Sequence, residues 1–314
     1  MPPKNVKKLH SAKNPHRNRQ KTNANRNQVR SRVDQNNTSK RVSKQGNIAT
    51  FSNKTAPKPP QNGYFIWGRH AVFAALANPE RRIQKIYAEA KNTTELQGVL
   101  GDLDSHRKAE LPQAKVIDRA RLDAIGGVSE KAVHQGIAAA VWPLDPPHFD
   151  LFLDGVMRMI DQRNQSKVRL LLLDQISDPR NLGAIMRSAQ AFGVTGVITT
   201  SRNSANENGV LARAASGALV HVPLIRVVNL ARAIEQIRYQ GFFVAGLAGD
   251  GDTEVSSLGR QKHLAIILGA EGSGLRRLSR VHCDTLVRIN IDNNSESLNV
   301  SNAAAVALYA ASLH

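Results

Sequence analysis

The fold class predicted by this sequence is α/β with a mostly parallel sheet, and three observations point to it. Residues 168–174 (Val-Arg-Leu-Leu-Leu-Leu-Asp) form a nearly continuous apolar run, as in a strand buried on both faces. Further strand-like runs at 196–200, 218–225, 242–247, 263–268 and 285–291 alternate with helical segments at 181–192, 206–215, 230–240 and 275–280, the rhythm of a doubly wound sheet. Two backbone-rich turns, 268–275 (Leu-Gly-Ala-Glu-Gly-Ser-Gly-Leu) and the polar stretch after Ile289, follow apolar runs. Open α/β sheets hold small ligands at such strand ends.

The chain has 314 residues, enough for two domains and a tail. Cys283 is the single cysteine, which excludes an internal disulfide and a cysteine-based zinc site and points to a reducing compartment. No apolar run approaches the roughly 20 residues that span a bilayer, and no apolar segment follows the N-terminal lysines. A cytoplasmic protein is expected. The net charge is +18, but residues 1–60 alone carry +14 and the remainder only +4. Residues 1–62, rich in Asn, Gln, Ser and Pro, lack the apolar content to fold alone and are expected to be a disordered basic tail. Such an arm suits a polyanion, binding strongly at low salt and weakly at high salt. A transit peptide and a passive solubilising extension are the plainer alternatives.

A Pro/Lys linker over 54–62 leads into a first unit expected over 63–143. The run 65–76 has Val72 and Leu76 at helical spacing. A strand at 83–88, a helix from Thr93 or Thr94, a strand at 114–117, a short helix at 119–125 and a strand at 135–141 follow. Alternation over about 80 residues makes this a small α/β domain. His70 and His134 are read as hydrogen-bonded turn or helix residues, and Trp67 as core. The prolines of 142–147 mark a boundary, and the second unit is expected over 151–314.

In that unit, 174–193 reads as strand end, loop and helix, with Asp178 or Asn181 available to cap it and Gly193 at its glycine stop. Leu182, Ile185, Met186, Ala189 and Phe192 form one apolar stripe. Arg187 lies about 140° from Leu182 around the helix, so it projects outward. Taken alone it is an ordinary solvated arginine. A last helix over 303–313 is fed through Ser297, Asn299 and Ser301, all good capping residues.

Three ordered segments resemble the motifs of the SpoU/TrmH family, RNA ribose 2'-O-methyltransferases of the SPOUT class. They are Asp178-Pro-Arg-Asn-Leu-Gly with Arg187 and Gly193, then 268–275, then Ser297-Leu-Asn-Val-Ser301 with Ala303, Leu308 and Tyr309. The first unit, with Gly68-Arg-His-Ala-Val and His134-Gln-Gly136, is similar to the ribosomal-protein-like RNA substrate-binding domain of two-domain members. Among members, the bacterial 23S rRNA guanosine 2'-O-methyltransferases look most similar. The resemblance implies a C-terminal deep trefoil knot, S-adenosyl-L-methionine bound in it, and a homodimer through the small-residue last helix. Carried across by motif, cofactor contacts fall on Gly269, Ile289 and Leu298. Catalytic roles fall on Arg187, Asn181 and Ser297, with Glu271 orienting motif residues or a neighbouring strand end and Asn299 capping the last helix and fixing Ser297.

A neutral arginine base near pH 7 would need its pKa lowered by about six, roughly 8 kcal/mol. Arg187 is therefore expected to act as a cation gripping a phosphate. For Glu271 the plainer reading is a solvated turn acid. One departure stands out: the family's Ile-Pro-Met is here Ile289-Asn290-Ile291, and a glycine near Asn293 is missing. Competing functions are a tRNA ribose methyltransferase and a non-catalytic RNA-binding assembly factor on the same fold. No metal is implied.

Overall fold

The computed structural model describes residues 57–125, 133–163, 167–292 and 297–313. The expected tail lies outside them up to residue 56, as do 293–296 of the last loop, including Asn293.

The first sheet is built around β1 (Tyr64–Trp67), α1 (Arg69–Ala77), β2 (Ile83–Ala88), α2 (Thr93–Gly101), α3 (Ser105–Glu110), β3 (Ala114–Val116), α4 (Arg119–Asp123) and β4 (Ile137–Val141). Its order is β1-β4-β2-β3, with β4 antiparallel to β1 and β2 and β3 parallel to β2. β4 reads Ile-Ala-Ala-Ala-Val and is buried throughout, which suits a central strand covered on both faces. Val72 and Leu76, expected at helical spacing, lie buried on α1, whereas the residues before it form β1, whose Phe65 and Trp67 face one core cluster and Ile66 another. That is the period-2 alternation of a strand. α3 has no counterpart among the expected elements. Asp104 caps it, and the buried Arg107 donates to the carbonyls of Ala75, Leu76 and Arg81. One side chain thereby satisfies backbone acceptors at the end of α1 and in the loop beyond it.

The second sheet follows α5 (Phe149–Arg163). In chain order come β5 (Val168–Asp174), α6 (Pro179–Ala191), β6 (Gly196–Thr200), α7 (Gly209–Ala215), α8 (Ala218–His221), β7 (Leu224–Val227), α9 (Leu230–Tyr239), β8 (Phe243–Leu247), β9 (Thr253–Glu254), β10 (His263–Gly269), α10 (Arg277–Val281), β11 (Thr285–Arg288) and α11 (Val300–Ser312). The strand order is β7-β6-β5-β10-β8-β11-β9, and every pairing is parallel. Leu171 and Leu173 pack in the cluster with α6, α7 and α11, whereas Leu170 and Leu172 pack in the cluster with α5 and α9. The apolar run is continuous because both of its faces are covered.

The strand expected over 218–225 is instead α8 followed by β7. Ser216 and Gly217 turn the chain through positive φ, and Ala218 and Val222 are both buried at a helical i, i+4 spacing. Pro223 then keeps the helix from continuing. β11 stops at Arg288 rather than Ile291, because the residues beyond it leave the ladder. Among the described residues no helix is long and apolar enough to cross a membrane.

Candidate active site and cofactor cleft

The carboxyl ends of β8, β10 and β11 open into a cavity of about 640 Å3, within the roughly 300–1,000 Å3 usual for small-molecule sites. Gly269, Ile289 and Leu298, the three expected cofactor contacts, all line it, together with Glu271, Ser297 and Asn299. Leu247, Ala248 and Gly249 complete one wall. Sequence reasoning missed these last three; the only signal available was their position just past an apolar strand.

The turn after β10 is shaped by close backbone approach. A Cβ on Gly269 would fall onto the backbone of Gly274 and Leu275, so only glycine fits there. The Gly274 amide donates to the Ala270 carbonyl at 2.9 Å and closes the turn. Asp174, at the end of the adjacent β5 and level with Gly269, anchors its exit. This carboxylate is 1% exposed and accepts from the Arg276 amide at 3.1 Å, Arg276 Nε at 2.5 Å and Ser279 Oγ at 2.6 Å. Asp174 is absent from the expected site, although an acid ending a buried strand is itself a signal. Asp174→Ala should cost about 1–3 kcal/mol, the range for stranding buried donors, and weaken ligand binding at the turn. Thermal melting and calorimetry check both effects.

Glu271 joins the three motifs. Its Oε1 accepts from Asn181 Nδ2 at 3.0 Å, Asn299 Nδ2 at 2.6 Å and the Val300 amide at 3.3 Å. Asn299 Nδ2 also donates to Asn181 Oδ1 at 3.0 Å, closing a triangle of side chains from α6, the β10 turn and the start of α11. The carboxylate stands at the amino end of α11, where it satisfies a free backbone amide and complements the helix dipole. Asn299 caps α11 by accepting from the Ser301 amide at 2.9 Å. The described bonds of Asn299 run to Asn181, Glu271 and Ser301, not to Ser297. At the other end of α11, Arg169 of β5 donates to the Ala311 carbonyl at 2.6 Å.

α6 begins at Asp178, whose carboxylate accepts from the Arg180 amide at 2.7 Å, with Pro179 in the first turn. Leu182, Ile185, Met186 and Ala189 of its apolar stripe are buried and Phe192 partly so, and Arg187 is exposed on the far side. Arg187 lies about 9 Å along the helix from Asn181, at 1.5 Å per residue, and does not line the cavity. Among the described residues it makes no hydrogen bond or ion pair. Its guanidinium is left for a group from outside.

Asn290 does not leave the strand exit loose. Its Nδ2 donates to Glu254 Oε1 at 2.8 Å and its Oδ1 accepts from Arg288 Nε at 3.1 Å. Arg288 in turn donates to the Gly251 carbonyl at 2.7 Å. Side-chain bonds tie down the segment between Ile289 and Ile291, where a proline would have stiffened it through φ. His134 is structural: its Nε2 lies 2.9 Å from Asp123 and its Nδ1 accepts from the Gly136 amide at 2.9 Å. Trp67 is core. Among the described residues no cluster of three or more His, Cys, Asp or Glu is placed to hold a metal ion.

With this geometry in place, two family models match the chain. The SpoU rRNA methylase family covers residues 169–309, and the RNA 2'-O ribose methyltransferase substrate-binding family covers residues 65–147. The chain belongs to the SpoU rRNA methylase family. Among its relatives, the 23S rRNA (guanosine-2'-O-)-methyltransferase RlmB of Escherichia coli is 37% identical over 247 residues, covering 78% of this chain and 96% of the relative. RlmB of Pseudomonas putida is 36% identical over 247 residues, covering 78% and 94%. The same fold is found in the SpoU methyltransferase AviRb from Streptomyces viridochromogenes in complex with AdoMet, with a TM-score of 0.62 at 21% identity over 80% of this chain and 90% of that one. It recurs in the AdoMet-bound rRNA methyltransferase from Sinorhizobium meliloti, with a TM-score of 0.60 at 19% identity over 80% and 87%.

Proposed function

We propose that this protein transfers a methyl group from S-adenosylmethionine to a ribose 2'-hydroxyl of RNA, and that the ribose belongs to a guanosine of 23S rRNA. The observation that carries the reading is the hydrogen-bonded triangle of Asn181, Glu271 and Asn299 at the rim of a glycine-framed cavity. The substrate rests on relatives of that printed activity aligned over nearly their whole length. The cavity suits a bent nucleoside: backbone approaches it at Gly269, and Leu247, Leu268, Ile289 and Leu298 give it apolar walls. Bound there, the sulfonium cofactor supplies an electrophilic methyl group.

The chain's own residues do the rest. Arg187 grips the phosphate beside the target ribose as a bidentate cation and lowers the pKa of the hydroxyl, whose proton leaves to phosphate or water. Ser297 hydrogen-bonds the ribose at the cavity mouth. Asn181, Glu271 and Asn299 hold α6, the β10 turn and α11 in register so that the reactants meet in a near-attack geometry. The packing of α11 against α6 and against the 3-10 helix Val255–Arg260 supports a threaded C-terminal segment, the trefoil knot. Exposed Val306 and Tyr309 on α11, with Leu313 just past its end, support a homodimer through that helix. Residues 63–143 bind the RNA, residues 1–62 add a basic arm, and the protein works in the cytoplasm.

The test maps ribose methylation across 23S, 16S and transfer RNA in a strain lacking the protein and in the complemented strain. A single guanosine of 23S rRNA is expected to lose and regain its methyl group. Loss confined to transfer RNA would overturn the substrate, and purified protein without affinity for S-adenosylmethionine would overturn the activity. Removing residues 1–56 should also flatten the salt dependence of RNA binding. The slope of log affinity against log salt should fall by about 0.7–0.9 for each phosphate that the arm neutralises. Titrations at several salt concentrations read that slope.

A further inference from the structure

The two sheets are joined by more than a linker, and the junction centres on Glu207, just before α7. Its Oε1 accepts from the Tyr64 hydroxyl at 2.6 Å and pairs with Arg81 Nη2 at 2.7 Å, and its Oε2 accepts from the Leu144 amide at 3.2 Å. Arg81 also donates to the Trp142 carbonyl at 2.8 Å and to the Tyr64 hydroxyl at 3.1 Å. The Arg81 and Glu207 side chains are only 4% and 11% exposed. Burial first, and then the Glu207 carboxylate, push the Tyr64 hydroxyl well above its ordinary range, so it stays a donor. A charge pair this buried is costly to separate, because either ion alone would be stranded out of water.

α7 itself is wedged between the first sheet and the catalytic helix. On one side a Cβ on Gly209 would overlap the Trp67 ring and the Phe65 carbonyl of β1, and Val210 packs onto the Phe65, Trp67 and Tyr87 cluster. On the other, a Cβ on Gly183 of α6 would lie 2.5 Å from Ala214 Cβ and 2.7 Å from the Leu211 carbonyl. Arg213 of α7 reaches back to donate to the Val133 carbonyl. β1, α7 and α6 are therefore stacked at backbone contact, with α6 carrying Asn181 and Arg187.

We propose that the Glu207 junction and the α7 wedge lock the first domain to α6, making that domain a fixed ruler that selects which ribose of a bound RNA reaches Arg187. The inference rests on the methyltransferase reading above and adds to it a set of positioning residues: Glu207, Arg81 and Gly209. A tethered domain would find its RNA feature and leave several riboses within reach. A docked one presents a single ribose.

The test compares wild-type protein with Glu207→Gln, which strands the Arg81 charge, and with Gly209→Ala, which forces α7 off β1 without touching the ion pair. Both should bind S-adenosylmethionine as wild type does and give a larger radius in small-angle scattering. On a 23S rRNA fragment both should lose roughly tenfold to a hundredfold in kcat/KM, the scale of a misplacement of about 1 Å, and spread methylation to neighbouring riboses. Tyr64→Phe, which keeps the ion pair, should stay compact and faithful. Wild-type scattering of two independently moving bodies would overturn the proposal. So would either opened variant that keeps wild-type kcat/KM and a single modified ribose, or a Glu207→Gln protein that stays compact. Wild-type protein inert on the fragment would count against the activity, whereas the scattering comparison tests the docking regardless.

Discussion

Gly269→Ala is expected to weaken S-adenosylmethionine binding by roughly tenfold to a hundredfold, the consequence of about 1–3 kcal/mol of overpacking in a close-packed site. The added methyl has nowhere to go, since its neighbours would be the backbone of Gly274 and Leu275 rather than the movable end of a side chain. Either the turn opens, which pulls Glu271 away from Asn181 and Asn299, or β10 retreats from its register with β5. Both distort the same wall of the cavity. Gly249 is the matched control: it also lines the cavity, but a Cβ there meets nothing within 4 Å. Gly249→Ala should leave the fold undisturbed and cost far less affinity. Calorimetric titration of both variants, with melting temperature as the check on folding, decides the matter. Wild-type affinity in Gly269→Ala would remove this turn from the cofactor site.

The central strands were legible because burial on both faces leaves an unmistakable run of Val, Leu and Ile; β5 and β6 occupy the residues expected of them, and β10 exceeds its expected run by one. Elements whose identity is settled by neighbours were not. The run 218–225 is apolar in a way that serves strand or helix, and the positive φ at Gly217 with Pro223 decides for a single helical turn. β9 is a pair of residues that becomes a strand only because β11 lies beside it. α5 was legible in principle: Phe149, Leu153 and Val156 fall at i, i+4, i+7 and are buried.

The same division holds at the site. The resemblance to the family motifs picked out Gly269, Glu271, Ser297, Leu298 and Asn299, all of which line one cavity. Partnership was another matter, because hydrogen bonds form between segments far apart in the chain. Asn181 and Glu271 are 90 residues apart, and Asn181 and Asn299 are 118 apart. Nothing local to Asn299 says that its amide turns towards Asn181. Asn290 makes the point from the other side: where a proline would preset the backbone through φ, Glu254, 36 residues away, supplies the restraint.

Arg187→Ala should reduce kcat by about a hundredfold to a thousandfold, the scale of removing one group aimed at developing charge, while S-adenosylmethionine affinity stays at the wild-type value. The separation follows from geometry: Arg187 lies outside the cavity lining and has no partner among the described residues, so its loss disturbs neither the pocket nor the fold. Arg187→Lys then distinguishes the two roles an arginine can play here. Were the side chain a base, lysine, with an ordinary pKa near 10.4, would be easier to deprotonate and should hold or raise the rate. As a cation that holds a phosphate through two parallel N–H bonds, arginine cannot be replaced by a point charge without losing orientation, and the lysine variant should turn over at least about tenfold more slowly. Single-turnover rates at saturating RNA, beside RNA affinities measured at fixed salt, separate orientation from binding. Near-normal turnover in Arg187→Lys with unchanged RNA affinity would mean that charge alone suffices and that the fork plays no part in presenting the ribose.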